Sequence, residues 1–197
     1  MRHSRDDVVA RAVEVLDTWG LGDLTMRRLA GELGVQPSAL YHHVPDKQTL
    51  LALVADRILV RAVRRPDPDG PWDERVVARC LALRDALLAV RDGAEVVATA
   101  YAFGLGARAA HDQLVEVLRS PAPAGAALPD DLAVTGARTL VHYVHGHVVD
   151  EQTHRQAGSV GAIRDEPRTA PDADFAAGLS IVVDGLRARV SGRAAVS

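Results

Sequence analysis

Apolar residues recur at spacings of three and four along most of the chain, and period-two alternation is scarce. That rhythm predicts amphipathic helices and an all-α fold. A first helix is expected from Ser4, whose hydroxyl can cap while Asp7 stands three residues on. Its apolar face is Val8, Val9, Ala12, Val15, Leu16 and Trp19, and Gly20 and Gly22 end it. A second helix follows Thr25, a good N-cap, and stops at Gly34, where glycine suits a left-handed C-terminal residue. A third starts near Gln36 or Pro37 and ends before Pro45, and a fourth, capped by Asp46, carries Leu50, Leu51, Val54, Ile58 and Leu59 to the breaker RRPDPDGP.

Further helices are expected over 72–90, 94–103, 107–119, 130–154 and 172–191. SPAPAGAALP between the seventh and eighth reads as a linker, and RQAGSVGAIRDEPRTAP after the eighth reads as mobile. Three short helices cannot bury a core without support, so the pattern divides the chain into a head, 1–46, on a larger helical body, 47–197.

Composition narrows the function. No run of about 18 apolar residues predicts a membrane span, and MRHSRDDVVARAVEVL lacks the apolar core of a secretion signal, so a cytoplasmic protein is expected. The single cysteine, Cys80, sits among apolar helix positions and reads as a small buried hydrophobe. A formal net charge of -3 excludes a generally basic coat, so any DNA contact must be local.

One segment offers such a contact. In LAGELGVQPSALYHHV, Ala30, Gly34 and Leu40 supply the small residue, turn glycine and aliphatic clamp of a helix-turn-helix. With Leu40 and Val44 inward, Gln36, Ser38, Ala39, Tyr41, His42 and His43 fall on or beside the outward faces. Gln36 suits adenine edges, Ala39 a thymine methyl, and Tyr41 and His43 phosphates, with Arg27, Arg28 and Lys47 flanking as phosphate anchors.

The run GLGDLTMRRLAGELGVQPSALYHHVPDKQTLLALVAD resembles the DNA-binding head of TetR-type transcriptional regulators through Leu40, Tyr41, His43, Val44, Lys47, Leu50 and Leu51. ALLAVRDGAEVV, VHYVHGHVVDEQTH and FAAGLSIVVDGLRARV resemble the ligand-binding and dimerisation body of the tetracycline repressor branch. The resemblance implies a homodimeric repressor of a palindromic operator. It puts Thr25, Arg27, Gln36, Ser38, Ala39, Tyr41, His43 and Lys47 on the operator-facing segment, with Pro37 and Ala39 departing from the tetracycline repressor and implying a different operator.

In that branch Mg-tetracycline is held by a histidine of the sixth helix and an acidic residue of the eighth. The resemblance puts Val97 at the first position and Asp150 at the second, so the direct ligand to Mg2+ is missing. Val63, Arg79, Leu83, Gln113 and His142 fall on other pocket positions, and Ala100 and His145 complete the expected ligand-binding set. The implied effector is a largely apolar small molecule other than Mg-tetracycline, with no cofactor and no dedicated metal.

The final helix shows Phe175, Leu179, Val182, Leu186 and Val190 as an apolar stripe, with Ala176, Gly178 and Gly185 permitting close approach; a dimer interface is expected there. The alternative function rests on the eighth helix. His147 with Glu151, and Asp150 with His154, stand four apart, a spacing that also suits a metal-binding protein or an all-α enzyme. No nucleophile motif or phosphate-binding glycine loop accompanies them.

Overall fold

The computed structural model describes residues 3–120, 128–159 and 171–194. Residues 121–127 of the expected linker and 160–170 of the expected mobile stretch lie outside the described residues. Among the described residues the chain forms α1 (Arg5–Trp19), α2 (Met26–Leu33), α3 (Pro37–Tyr41), α4 (Lys47–Val63), α5 (Trp72–Leu88), α6 (Gly93–Ala102), α7 (Ala109–Arg119), α8 (Asp130–Ser159) and α9 (Pro171–Ala194), with no strand.

Local chemistry fixes the first boundaries. The Asp7 N–H donates to Ser4 Oγ at 3.2 Å while Asp7 Oδ2 accepts from the Ser4 N–H at 2.8 Å, a reciprocal capping box. These bonds hold the Asp7 carboxyl below its ordinary range. Asp46 caps α4 by accepting from the Thr49 N–H at 2.6 Å, and that bond lowers its carboxyl likewise. The eighth helix continues to Ser159, past the His154 expected for its end.

Two compact units result, Met1–Arg61 with Asp85–Arg108, and Ala62–Arg84 with Ala109–Ser197. In the first, α1 packs on α2 and α2 on α3 around Leu16, Leu24, Leu29, Leu40 and Leu50. The Arg57 guanidinium of α4 also donates to Asp6 of α1 at 3.2 Å, and Asp56 Oδ1 accepts from the Ala107 N–H at 2.8 Å. In the second unit, α7 packs on α8 and α8 on α9 around Leu114, Leu118, Leu140, Val144 and Phe175. Each leucine so buried contributes about 1.5–3 kcal/mol. Cys80 is fully buried, and its thiol is pushed up to about 12 by burial, which makes it inert.

One apolar position departs from the pattern. Trp19 was expected on the buried face of the first helix, yet it is 48% exposed. It ends α1, the chain turns away at Gly20, and the Arg28 guanidinium lies over the ring at 4.5 Å from its centroid.

Candidate nucleic-acid interface and ligand-binding residues

The turn between α2 and α3 sets the face that α3 presents. Thr25 caps α2, its hydroxyl accepting from the Arg28 N–H at 3.1 Å. At the other end Gly34 takes φ +66°, a left-handed conformation that is costly for a side chain with a β-carbon, and its N–H turns toward the Ala30 and Gly31 carbonyls. The Val35 N–H bonds to Ala30 O at 3.0 Å, closing the turn. Gln36 is extended, and Pro37 starts α3 with its ring pre-set for a first helical turn.

α3 has only five residues, too few to persist alone, so tertiary contacts must hold it. Leu40 and Val44 are buried and pin it to the head, and their burial turns the remaining side chains outward. Gln36, Ser38, Tyr41 and His42 are exposed, Ala39, His43 and Lys47 are half-buried, and Thr25 and Arg27 are exposed nearby. Tyr41, at 51% exposure, is a large aromatic ring directed at solvent with a polar hydroxyl. Arg28 is engaged differently from its neighbour: it pairs with Asp23 and covers Trp19, so its charge is partly neutralised by the chain itself.

In the second unit, three of the expected ligand-binding residues meet. Arg79 Nη1 donates to Gln113 Oε1 at 3.2 Å and to Arg65 O at 2.9 Å, while Gln113 Nε2 donates to Val63 O at 3.0 Å. Asp67, which sequence reasoning passed over as part of a breaker loop, ion-pairs with Arg79 and accepts from Arg75. Leu83 is buried. His142 and Asp150 are exposed on α8, whereas His145 is buried and its imidazole is pushed down to about 4, chiefly by burial. Val97 and Ala100 are buried in the first unit.

The apolar stripe of α9 divides. Phe175, Leu179 and Leu186 are buried against their own chain, and Tyr143 of α8 donates its hydroxyl to Phe175 O at 2.7 Å with ring centroids 5.4 Å apart. Val182 and Val190 are half-buried, Val183 takes a core position, and Ile181 is 74% exposed. A heptad-like count could not separate Val182 from Val183, because a small angular offset decides which one meets α8.

The eighth-helix carboxylate read as a possible metal ligand has another duty. Glu151 is buried and pairs with Arg84 at 2.8 Å and with Arg155. Among the described residues no three His, Cys, Asp or Glu side chains converge to hold a metal ion. No described helix is long and apolar enough to cross a membrane.

Residues 8–54, which include the whole turn-flanked head segment, match the family described as bacterial regulatory proteins, tetR family. Residues 65–170 match the tetracyclin repressor-like C-terminal domain. The chain belongs to the TetR family. Members of this family are DNA-binding transcriptional regulators, and the two matches meet the two parts expected of one, an N-terminal helix-turn-helix and a helical body.

Among relatives of this TetR-family chain, the tetracycline repressor protein class A from transposon 1721 of Escherichia coli is 33% identical, covering 92% of this chain and 89% of that protein. The crystal structure of Mycobacterium smegmatis BioQ superposes with a TM-score of 0.83 at 42% identity, covering 94% of this chain and 98% of that one. BioQ has also been solved with its natural double-stranded DNA operator. That structure is 41% identical with a TM-score of 0.77, covering 93% and 98% of the two chains.

Proposed function

We propose that this TetR-family regulator is a homodimeric repressor that leaves a palindromic operator when a small-molecule effector binds its body. The observation that carries the reading is the outward set of α3, Gln36, Ser38, Tyr41 and His42, held by a left-handed turn at Gly34 and the buried Leu40 and Val44. Direct readout needs a short, rigid helix whose polar residues are spared from packing. Arg27, His43 and Lys47 add phosphate contacts, and Thr25 contributes through the start of α2. Two copies related by a two-fold axis match two half-sites, and the α9 face around Ile181 and Gly185 is the surface proposed to join them.

Release follows from linkage. An effector lowers operator affinity only by binding the DNA-free conformation more strongly than the DNA-bound one. The residues assigned to effector recognition are Val63, Arg79, Leu83, Gln113 and His142, with Val97 standing where Mg-tetracycline recognition needs a ligand. The effector is therefore a different, largely apolar small molecule. Such a regulator acts where the chromosome is, in the cytoplasm, and carries out no catalysis.

Fluorescence anisotropy on DNA from upstream of its own gene, with excess unrelated competitor and a salt series, tests the reading. Binding that survives competitor supports it, and Tyr41→Ala is expected to lower operator affinity by about tenfold while leaving dimerisation intact. Equal affinity for operator and competitor refutes it.

A further inference from the structure

The connection between α4 and α5 carries an acidic side chain seated between two arginines of α5. Asp67 Oδ2 accepts from Arg75 Nη2 at 3.1 Å, and Asp67 Oδ1 lies 2.5 Å from Arg79 Nε. The second contact is an ion pair without hydrogen-bond alignment. Both Asp67 Oδ1 and Arg79 Nε are buried, and each finds its counter-charge in the other.

Beside the pair opens a cavity of about 360 Å3, walled by Pro66, Pro68, Ala78, Leu81 and Ala82. Arg65, Asp67 and Arg79 supply its charged lining, and the remaining wall is aliphatic. Arg79 does not depend on Asp67 for its position, because Nη1 is held by Arg65 O and Gln113 Oε1. The guanidinium is thus pre-organised for a planar carboxylate.

We propose that Arg75 and Arg79 form a carboxylate seat which the chain's own Asp67 fills here, and that the effector is an amphiphilic monocarboxylate that exchanges with Asp67. This inference rests on the reading of the chain as an effector-released repressor. The exchange replaces one carboxylate by another, so the arginines keep a counter-charge throughout and Asp67 passes to water at the edge of the loop. A neutral ligand cannot make that exchange. An acid with an apolar body covers the aliphatic wall as its headgroup takes the place of the Asp67 carboxylate, and the α4–α5 connection is untied from α5.

The test uses 2-naphthoate and 2-naphthamide, which share a ring system and differ in charge, titrated into the full chain by calorimetry. The proteins are the unaltered chain, Asp67→Ala, the near-isosteric Asp67→Asn and the double variant Asp67→Ala/Arg75→Gln, each checked for helical content. Expected is naphthoate binding about tenfold tighter to Asp67→Ala and Asp67→Asn than to the unaltered chain, with the gain lost in the double variant and naphthamide indifferent to all changes. Equal naphthoate affinities, no naphthoate binding to any of the proteins, or an equal gain for naphthamide overturns the seat. Operator release is followed in the same samples. Tighter naphthoate binding without release overturns the effector assignment and leaves the seat, whereas release by a compound that does not displace naphthoate overturns the seat as effector site and leaves the repressor reading standing.

Discussion

Asp92 accepts a hydrogen bond from the Leu21 N–H at 2.7 Å, fastening the residue before α6 to the turn after α1 across 71 positions of sequence. Asp92 does this from a left-handed backbone, φ +55°, and beside it the Arg91 N–H donates to Asp17 Oδ1 at 3.0 Å. Asp92→Ala loses a charge-assisted bond and puts alanine in a conformation that it resists, at an expected cost of about 2–4 kcal/mol. Asp92→Asn tolerates the backbone and keeps an acceptor, so it is expected to lose about 1 kcal/mol. Urea unfolding of the three proteins measures both, and an Asp92→Ala variant as stable as the parent contradicts the account.

The buried Arg84 answers two carboxylates, Glu151 at 2.8 Å and Asp172 at 2.7 Å, and lies 5.1 Å from the Phe175 ring. Glu151 has a side chain only 4% exposed, so it depends on its cations. Arg84→Met leaves that buried charge to the exposed Arg155 alone and is expected to cost about 3–5 kcal/mol, whereas Arg84→Met with Glu151→Met together recovers most of the loss. A double-mutant cycle by thermal unfolding reads the coupling, and additive losses would show that the two side chains act independently.

Stability should fall in mild acid through His145. Burial, aided by the charge of His142, pushes its imidazole down to about 4 from its ordinary 6.5. A lowered histidine favours the neutral form in the fold, so between those values the unfolded chain binds the extra proton. The contribution is complete above about pH 6.5 and is lost as pH drops toward about 4, amounting to about 3 kcal/mol. His145→Leu is expected to flatten that part of the pH profile, and an unchanged slope would assign it to other groups.

Gly178 and Gly185 lie on the same helix and have opposite surroundings. A β-carbon at Gly178 runs into the Tyr143 hydroxyl and ring, so Gly178→Ala is expected to cost about 1–3 kcal/mol in unfolding experiments. At Gly185 the added carbon meets nothing of its own chain within 4 Å. Weaker self-association of Gly185→Ala by light scattering marks that face as the one shared by two copies; unaltered association moves the interface elsewhere.

The ends of the first helices were legible because they depend on neighbours in sequence: Ser4 with Asp7, Thr25 with the start of α2, Gly34 with the turn, and Asp46 with Thr49. The outward set of α3 followed from the inward placement of Leu40 and Val44. What escaped depends on distant partners. Trp19 has an apolar side chain at an apolar position, but α1 ends there, the chain turns away at Gly20, and the Arg28 guanidinium rather than the core lies over its ring. Asp67 looked like punctuation between prolines until α5 brought Arg75 and Arg79 to it. Phe175, Leu179 and Leu186 formed a stripe whose use inside the chain could not be distinguished from use between chains, since burial by α8 and burial by a second copy select the same residues.

α3 and its N-cap Gln36 separate two kinds of selection. Leu40, with Val44 just beyond, answers to the head's interior, while Gln36, Ser38 and Tyr41 contribute little to it. Substitutions on the outer set leave folding nearly untouched. On the operator-reading role proposed for these residues, a lineage carrying this head exchanges one DNA target for another through viable single steps, with foldedness preserved at each.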